Sequence, residues 1–99
     1  MYTIEIGQNL PYEASAIYIE AHADAYEQEH VIVDLTKTNY IHSSFIGFLL
    51  NLIAHKKKYG GDITLQFGKN SNVYNQLNRI GVIDYYTELK VQNTFKWRI

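Results

Sequence analysis

The sequence predicts an α/β fold in which helices pack against a mixed four-stranded sheet with a parallel βαβ core. Three observations predict this fold class. Residues 31–35 are a β-branched, nearly continuous apolar run, as in a strand covered on both faces. Residues 45–53 carry apolar side chains at helical spacing, and residues 63–67 alternate in polarity before Gly68. A strand, a helix and a strand in this order form a parallel pair joined by a right-handed crossover.

The residues that precede this unit predict a short strand followed by a helix. Residues 3–6 alternate polar and apolar side chains and end at Gly7, as a half-buried strand does. Pro11 suits the first turn of a helix, where its missing N–H costs nothing. Acidic residues then occupy one helical face, and apolar residues occupy another, namely Tyr12, Ala16, Ile19, Ala23 and Tyr26. The sequence therefore predicts an amphipathic helix with an acidic, solvated side.

The helix of the βαβ unit and the segments after it have recognisable ends. Three lysines at residues 56–58 complement the negative end of the helix dipole, and the glycine pair 60–61 stops the helix. Asn70 or Ser71 can cap a short third helix, which Gly81 ends. We expect a last strand around residues 89–91.

Length and composition restrict the class of protein. The chain has 99 residues, of which 46% are hydrophobic, and this suffices for a single domain over residues 1–99. Nine basic and ten acidic residues create no global field that would favour nucleic acid. Disulfides and thiolate chemistry are excluded because the sequence has no cysteine. The sequence lacks a signal-peptide pattern and the roughly 20 apolar residues of a membrane span, so we expect a cytoplasmic domain without membrane insertion.

Patterns that carry catalysis or bind metals are weak in this sequence. His42 adjoins Ser43, but neighbouring side chains rarely face each other, and the sequence offers no third group to orient the histidine. The four histidines form no pair with the i, i+4 spacing of metal ligands. The glycines lack the spacing of a phosphate-binding loop. We therefore expect neither an enzyme nor a bound cofactor, and we expect a protein partner.

The central stretch of the chain resembles the STAS domain family. Residues 31–36 read VIVDLT, and residues 40–47 read YIHSSFIG. The family has a strand ending in Asp-Leu at the first place and Asp-Ser-Ser-Gly-Leu-Gly, opening a helix, at the second. The glycine pair 60–61 stands where the family has a Gly-rich turn, and residues 77–84 resemble its Leu-x-x-x-Gly-Leu segment. The resemblance is best over residues 30–87 and implies a small STAS-like domain.

Among STAS proteins, the resemblance implies the function of the anti-sigma-factor antagonists. In these bacterial signalling proteins, which regulate transcription, a partner that is both serine kinase and anti-sigma factor phosphorylates the first Ser of the motif. The matching residue here is Ser43. A phosphate adds a charge of about −1.5 to −2 at neutral pH, which a helix N-terminus favours and an apolar partner surface disfavours.

Four further residues are expected at the partner-binding surface around Ser43. His42 replaces the Asp of the family motif, and Phe45 replaces its first Gly. Ser44 is the second motif Ser, and Phe48 lies at the margin of the apolar helix face, where we expect an exposed contact. Nine tyrosines are many for a chain of this length and are compatible with an interface, including one between two copies of the chain.

Two alternatives stay open from the sequence alone. A Ser pair before an apolar run is also an ordinary helix cap, so Ser43 and Ser44 can have a purely structural role. The domain can equally be a scaffold that is never phosphorylated, as a subunit of a signalling or lipid-transport assembly. In that case Phe45 and Phe48 would contribute to binding, and the charge of Ser43 would matter little.

Overall fold

The protein is described by a computed structural model over residues 1–69 and 71–89. Three parallel strands form the central sheet in the spatial order Tyr2–Glu5, His30–Leu35, Asp62–Phe67, and two short strands, Asn9–Leu10 and Tyr40–Ile41, form a separate parallel pair. The elements in chain order are β1 (Tyr2–Glu5), β2 (Asn9–Leu10), α1 (Tyr12–Ala21), a 3-10 helix (Ala23–Glu27), β3 (His30–Leu35), β4 (Tyr40–Ile41), α2 (Ser43–Tyr59), β5 (Asp62–Phe67), α3 (Asn72–Arg79) and a further helical stretch, α4, at residues 82–89.

One face of the central sheet carries the hydrophobic core. Ile4, Val33 and Leu65 lie side by side across the three strands, and all three are buried. The apolar side of α2 packs into the same cluster, with Leu49 and Leu52 fully buried. Burying one such leucine stabilises the fold by about 1.5–3 kcal/mol. This packing fixes the direction in which α2 crosses the sheet.

The α/β class and the parallel βαβ core are confirmed, but the mixed four-stranded sheet is wrong for the described residues. They contain three parallel strands and a separate parallel pair, in which Asn9 and Tyr40 are register partners. A two-residue strand has no alternation for a sequence pattern to detect. The prediction of a last strand around residues 89–91 is also wrong for Leu89, which is buried and helical. The rest of that stretch lies outside the described residues.

The first helix is shorter than expected, and it packs on a different face. It ends at Ala21 and is followed by the 3-10 helix. Ser15 is fully buried and donates its hydroxyl hydrogen bond to the carbonyl of Pro11 at 2.8 Å, so a polar residue lies inside without an unpaired group. Tyr12 is consequently turned outward and is 62% exposed, and Ala16 is also exposed.

The C-terminal ends of α2 and α3 lie next to the glycines that predict them, and α3 begins after the serine that predicts its start. Gly60 follows α2 with a φ of 92°, and Gly81 follows α3 with a φ of 85°, a left-handed region that favours glycine. Ser71 caps α3 by accepting a hydrogen bond from the N–H of Tyr74 at 3.0 Å.

Within residues 1–69 and 71–89, no helix has both the length and the apolar character needed to cross a membrane.

Lys56 has a structural role that the lysine run did not predict. It is only 2% exposed, and its ammonium donates to the carbonyls of Ala25, Tyr26 and Gln28 at the end of the 3-10 helix. Burial lowers the pKa of Lys56 because desolvation disfavours the charged form. The three donors of the ammonium therefore match three carbonyl acceptors, and the 3-10 helix is tied to the last turn of α2.

We expect Lys56→Met to destabilise the fold by about 1–3 kcal/mol, because methionine keeps the apolar stem but leaves the three carbonyls without this donor. Lys58→Met is the matched control, since Lys58 is exposed, and it should change stability by less than about 0.5 kcal/mol. Urea unfolding followed by circular dichroism measures both variants. Equal midpoints for Lys56→Met and the wild type would show that the buried ammonium contributes no net stability.

Candidate functional site

The chain between β3 and α2 lies at the carboxyl edge of the central sheet. In parallel α/β sheets, the loops at this edge are the usual place for binding sites. The hydroxyl of Thr38 donates to the carbonyls of Ile6 and Gly7, at 3.1 and 2.9 Å, and the N–H of Asn39 donates to the carbonyl of Gln8 at 2.7 Å. These bonds fasten the loop after β3 to the loop after β1.

The short strand β4 brings the chain to the start of α2 in a fixed position. The N–H of His42 donates to the carbonyl of Leu10 at 2.8 Å. From the other side, the amide of Gln76 in α3 donates to the carbonyl of Ile41 at 2.8 Å and accepts from its N–H at 3.3 Å. His42 is therefore bonded to β2 and the preceding Ile41 to α3, so the chain enters the first turn of α2 in a fixed position.

His42 caps α2 with its imidazole. Its Nδ1 accepts a hydrogen bond from the N–H of Ser44 at 3.1 Å, and its carbonyl accepts from the N–H groups of Phe45 and Ile46 at 3.0 and 3.2 Å. An N–H can only donate, so Nδ1 is the acceptor, and in the neutral ring the proton lies on Nε2. The alternative in which Ser43 or Ser44 caps the helix is therefore wrong.

The imidazole of His42 caps the helix in the way that a carboxylate would. A carboxylate at an N-cap accepts a hydrogen bond from an N–H two or three residues later, and the imidazole of His42 does the same. An imidazole at this position thus gives the helix start the geometry of a carboxylate cap without a negative charge next to Ser43. Tyr12 packs edge-on against the imidazole, with the ring centroids 5.2 Å apart.

The two serines differ in their surroundings. Ser43 is exposed and is the first residue of α2, whereas Ser44 is half-buried. The hydroxyl of Ser44 lies 3.0 Å from Nδ1 of His42. This resembles a nucleophile with its base, but Nδ1 already accepts a backbone N–H, and the contact to Tyr12 is through the rings. The described contacts of His42 therefore lack the third, orienting group of a hydrolase triad.

Phe45 and Phe48 lie in the core, so the expectation that they contact a partner directly is wrong. Their side chains are 0% and 5% exposed, and their rings lie 5.4 Å apart. Phe45 packs edge-on against Tyr18, and Phe48 packs edge-on against Tyr26. The physical reason is helical spacing, since these residues share the face of α2 that turns to the sheet. Phe45 consequently does not cover Ser43.

Two exposed tyrosines lie near this turn, and the sequence pattern does not predict their exposure. Tyr12 packs against His42 although helical spacing predicts it on the inner face of α1, and Tyr40 lies two residues before His42 and is 46% exposed. The only signal for them was the high tyrosine content. We name the surface formed by Tyr12, Tyr40, His42 and Ser43 the α2 entry surface.

Asp34 and Thr36 stabilise the start of the loop that leads to this surface. One carboxylate oxygen of Asp34 accepts from the hydroxyl of Thr36 at 2.6 Å and from its N–H at 3.0 Å. The hydroxyl bond, more than the backbone bond, lowers the pKa of Asp34.

Among residues 1–69 and 71–89, no group of three His, Cys, Asp or Glu side chains is placed to hold a metal ion.

We expect Thr36→Val to raise the pKa of Asp34 because it deletes the hydroxyl donor. A carboxyl whose folded pKa is lowered contributes stability above its unfolded pKa, near 3.9, and loses it as the pH falls through the folded value. The variant should therefore be less stable than the wild type at pH 7, by under about 1 kcal/mol because Asp34 is in contact with solvent, and the difference should shrink below about pH 4. Thr36→Ser, the control, retains the donor. Urea unfolding at several pH values tests this, and a difference independent of pH would contradict it.

We expect His42→Ala to destabilise the fold by about 0.5–2 kcal/mol because the N–H of Ser44 loses its acceptor. His42→Asp should restore most of that stability, since a carboxylate can accept the same bond. Hydrogen exchange of the Ser44 amide, read by NMR, localises the effect. Exchange of the Ser44 amide that is equally fast in His42→Ala and in the wild type would show that His42 does not cap the helix.

Comparison with other proteins adds no family to this description. No model of a known protein family matches the chain, and a search of characterised proteins gave no significant match. The class that the fold defines is a small α/β domain with a parallel three-stranded sheet.

Proposed function

We propose that this protein is a STAS-type interaction switch of the anti-sigma-factor-antagonist kind, with Ser43 as its phosphorylation site. The observation that carries the proposal is the exposed Ser43 hydroxyl at the first residue of a 17-residue helix, on a firmly held loop. The partner would be a protein of the serine-kinase and anti-sigma type. A cytoplasmic location and a role in transcriptional signalling belong to the same proposal.

A phosphate on Ser43 would change what the α2 entry surface can bind. The surface combines a small neutral hydroxyl with two exposed aromatic rings, a composition common in protein interfaces. A neutral serine can be covered by a partner at little cost, whereas a phosphate of about −1.5 to −2 charge resists desolvation. Phosphorylation would thus remove the partner without any change of fold.

The two departures from the family motif are compatible with this switch. The cap formed by His42 is neutral in the tautomer that accepts the Ser44 N–H, so it adds no repulsion to a phosphate on Ser43. Phe45 is buried under α1 and leaves the Ser43 hydroxyl accessible. Neither residue obstructs a kinase that approaches from solvent.

The second candidate is a scaffold that binds its partner constitutively, in a signalling or lipid-transport assembly. Exposed Tyr12 and Tyr40 favour it, because aromatic anchors provide affinity without any charge switch. In such a scaffold, truncation of either tyrosine would weaken binding, and a negative charge at Ser43 would have little effect.

We expect Ser43→Asp to reduce capture of the partner at least tenfold, and Ser43→Ala to retain it. The measurement is a pull-down from the native host with tagged full-length protein, quantified by mass spectrometry. Asn72→Asp is the matched control, since Asn72 is exposed and is the first residue of α3, so the same charge enters a different helix start. Recombinant partner and ATP then allow the modified residue to be mapped.

Each outcome separates the two candidates. Loss of an ATP-binding, kinase-like protein with Ser43→Asp alone, together with phosphate mapped to Ser43, supports the switch. Capture that is equal for Ser43→Asp and wild type, but weaker for Tyr12→Ala or Tyr40→Ala, supports the scaffold and refutes the switch. Phosphate mapped to Ser44 would refute the assignment of the site.

A further inference from the structure

Charge is unevenly distributed along the chain. The first 36 residues contain seven acidic residues and no lysine or arginine, although the whole chain has a formal charge of −1. Several of these acidic side chains are exposed on β1, on α1 and just after α1, namely Glu5, Glu13, Glu20 and Asp24. The side of the molecule formed by β1 and α1 is therefore negative.

The same side contains a sheet edge that none of the described strands covers. Among the described residues, β1 pairs with β3 alone and is an outer strand. The N–H of Ile6, directly after β1, donates to the carbonyl of Asp34 in β3 at 3.2 Å. In a parallel ladder, alternate residues direct their backbone groups to the same neighbour, so those of Thr3 and Glu5 point away from β3. Such an edge is a template for another strand.

A groove runs along this edge, between β1 and α1. Its volume is about 400 Å³, and it is lined by Thr3, Glu5, Ile17, Tyr18, Ala21 and His22. Ile17 is 68% exposed, an unusual state for a large aliphatic side chain on a helix. Glu13 and Glu20 lie four residues before and three residues after Ile17, so they share its side of α1. The groove thus combines backbone groups, an apolar contact and an acidic rim.

We propose that this groove binds an extended, lysine- or arginine-containing segment of a partner protein, which adds to β1 as a fourth strand. The backbone of the segment would pair with Thr3 and Glu5. Because side chains alternate along a strand, apolar ones would face Ile17, and basic ones would face Glu5. A second copy of the chain is disfavoured as occupant, since two β1 strands would bring their acidic side chains together.

The test uses the full-length chain and a defined probe, a capped seven-residue peptide of alternating lysine and valine. Titration into ¹⁵N-labelled protein should shift the signals of Thr3, Glu5 and Ile17 and slow amide exchange at Thr3 and Glu5. We expect the double variant Glu5→Lys/Glu20→Lys to bind about tenfold more weakly, and Ile17→Ala about threefold. Asp84→Lys is the matched control on exposed α4 surface and should bind as the wild type does.

Two modified peptides separate strand addition from general attraction between charges. A peptide with N-methyl groups on the residues that would face β1 cannot donate to the edge, so it should lose binding. A peptide with glutamate in place of lysine should not bind. The proposal would be overturned if the unmodified lysine–valine peptide does not bind at millimolar concentration, or if all three peptides bind equally well.

Two other occupants of the groove are distinguished by sedimentation and by a further variant. If sedimentation shows a dimer that Ile17→Lys dissociates, the occupant is a second copy, and the proposal is overturned. Residues 95–99, outside the described residues, also alternate apolar and basic side chains in sequence. If Lys96→Glu/Arg98→Glu binds the peptide at least tenfold more tightly than wild type does, the groove is filled by the chain itself, and the proposal is likewise overturned.

Discussion

The packing of α2 on the sheet is the constraint on which the rest of the structure depends. Phe45, in the first turn, and Leu52, two turns later, are both fully buried in the core between α2, α1 and the sheet. Anchoring at both places leaves α2 one orientation, with its N-terminus at the carboxyl edge of the sheet. Ser43 then has to lie at that edge, and helical geometry turns it away from the side on which Phe45 is buried. Core packing therefore determines where the α2 entry surface is and which residues it contains.

The start of α2 also shows how one chemical role can be filled by different residues. An N-cap requires an acceptor of suitable reach and position, and both a carboxylate and an imidazole provide one. The choice of His42 changes the electrostatics of the site more than its geometry. It leaves the positive end of the helix dipole without a compensating negative charge beside it, and a phosphate on Ser43 would supply that charge. Under the proposed function, the imidazole cap therefore favours a phosphate on Ser43 without changing the geometry of the helix start.

Periodicity revealed the elements whose residues repeat a pattern, and it did not reveal contacts made by single side chains. The strands around Val33 and Leu65, and the glycine ends of α2 and α3, follow from alternation and backbone freedom. The cap by His42 depends on ring orientation, and the burial of Lys56 depends on three carbonyls that come from another segment. Likewise, the inward turn of Phe48 depends on where the sheet lies. Sequence thus located Ser43 in its βα context but not its tyrosine neighbours.

Helix α1 connects the two surfaces for which we propose partners. Tyr12, at its start, contacts the imidazole of His42 in the α2 entry surface, and Ala21, at its end, lines the groove beside β1. These two residues are separated by about 14 Å along the helix, at 1.5 Å per residue. An interface of ordinary size covers about 800 Å² on each partner and is wide enough to include both. One protein could therefore hold the acidic groove permanently while its contact with Ser43 is gained or lost with phosphate. In that arrangement a phosphate on Ser43 would weaken the complex, whereas a partner that contacts the α2 entry surface alone would be released.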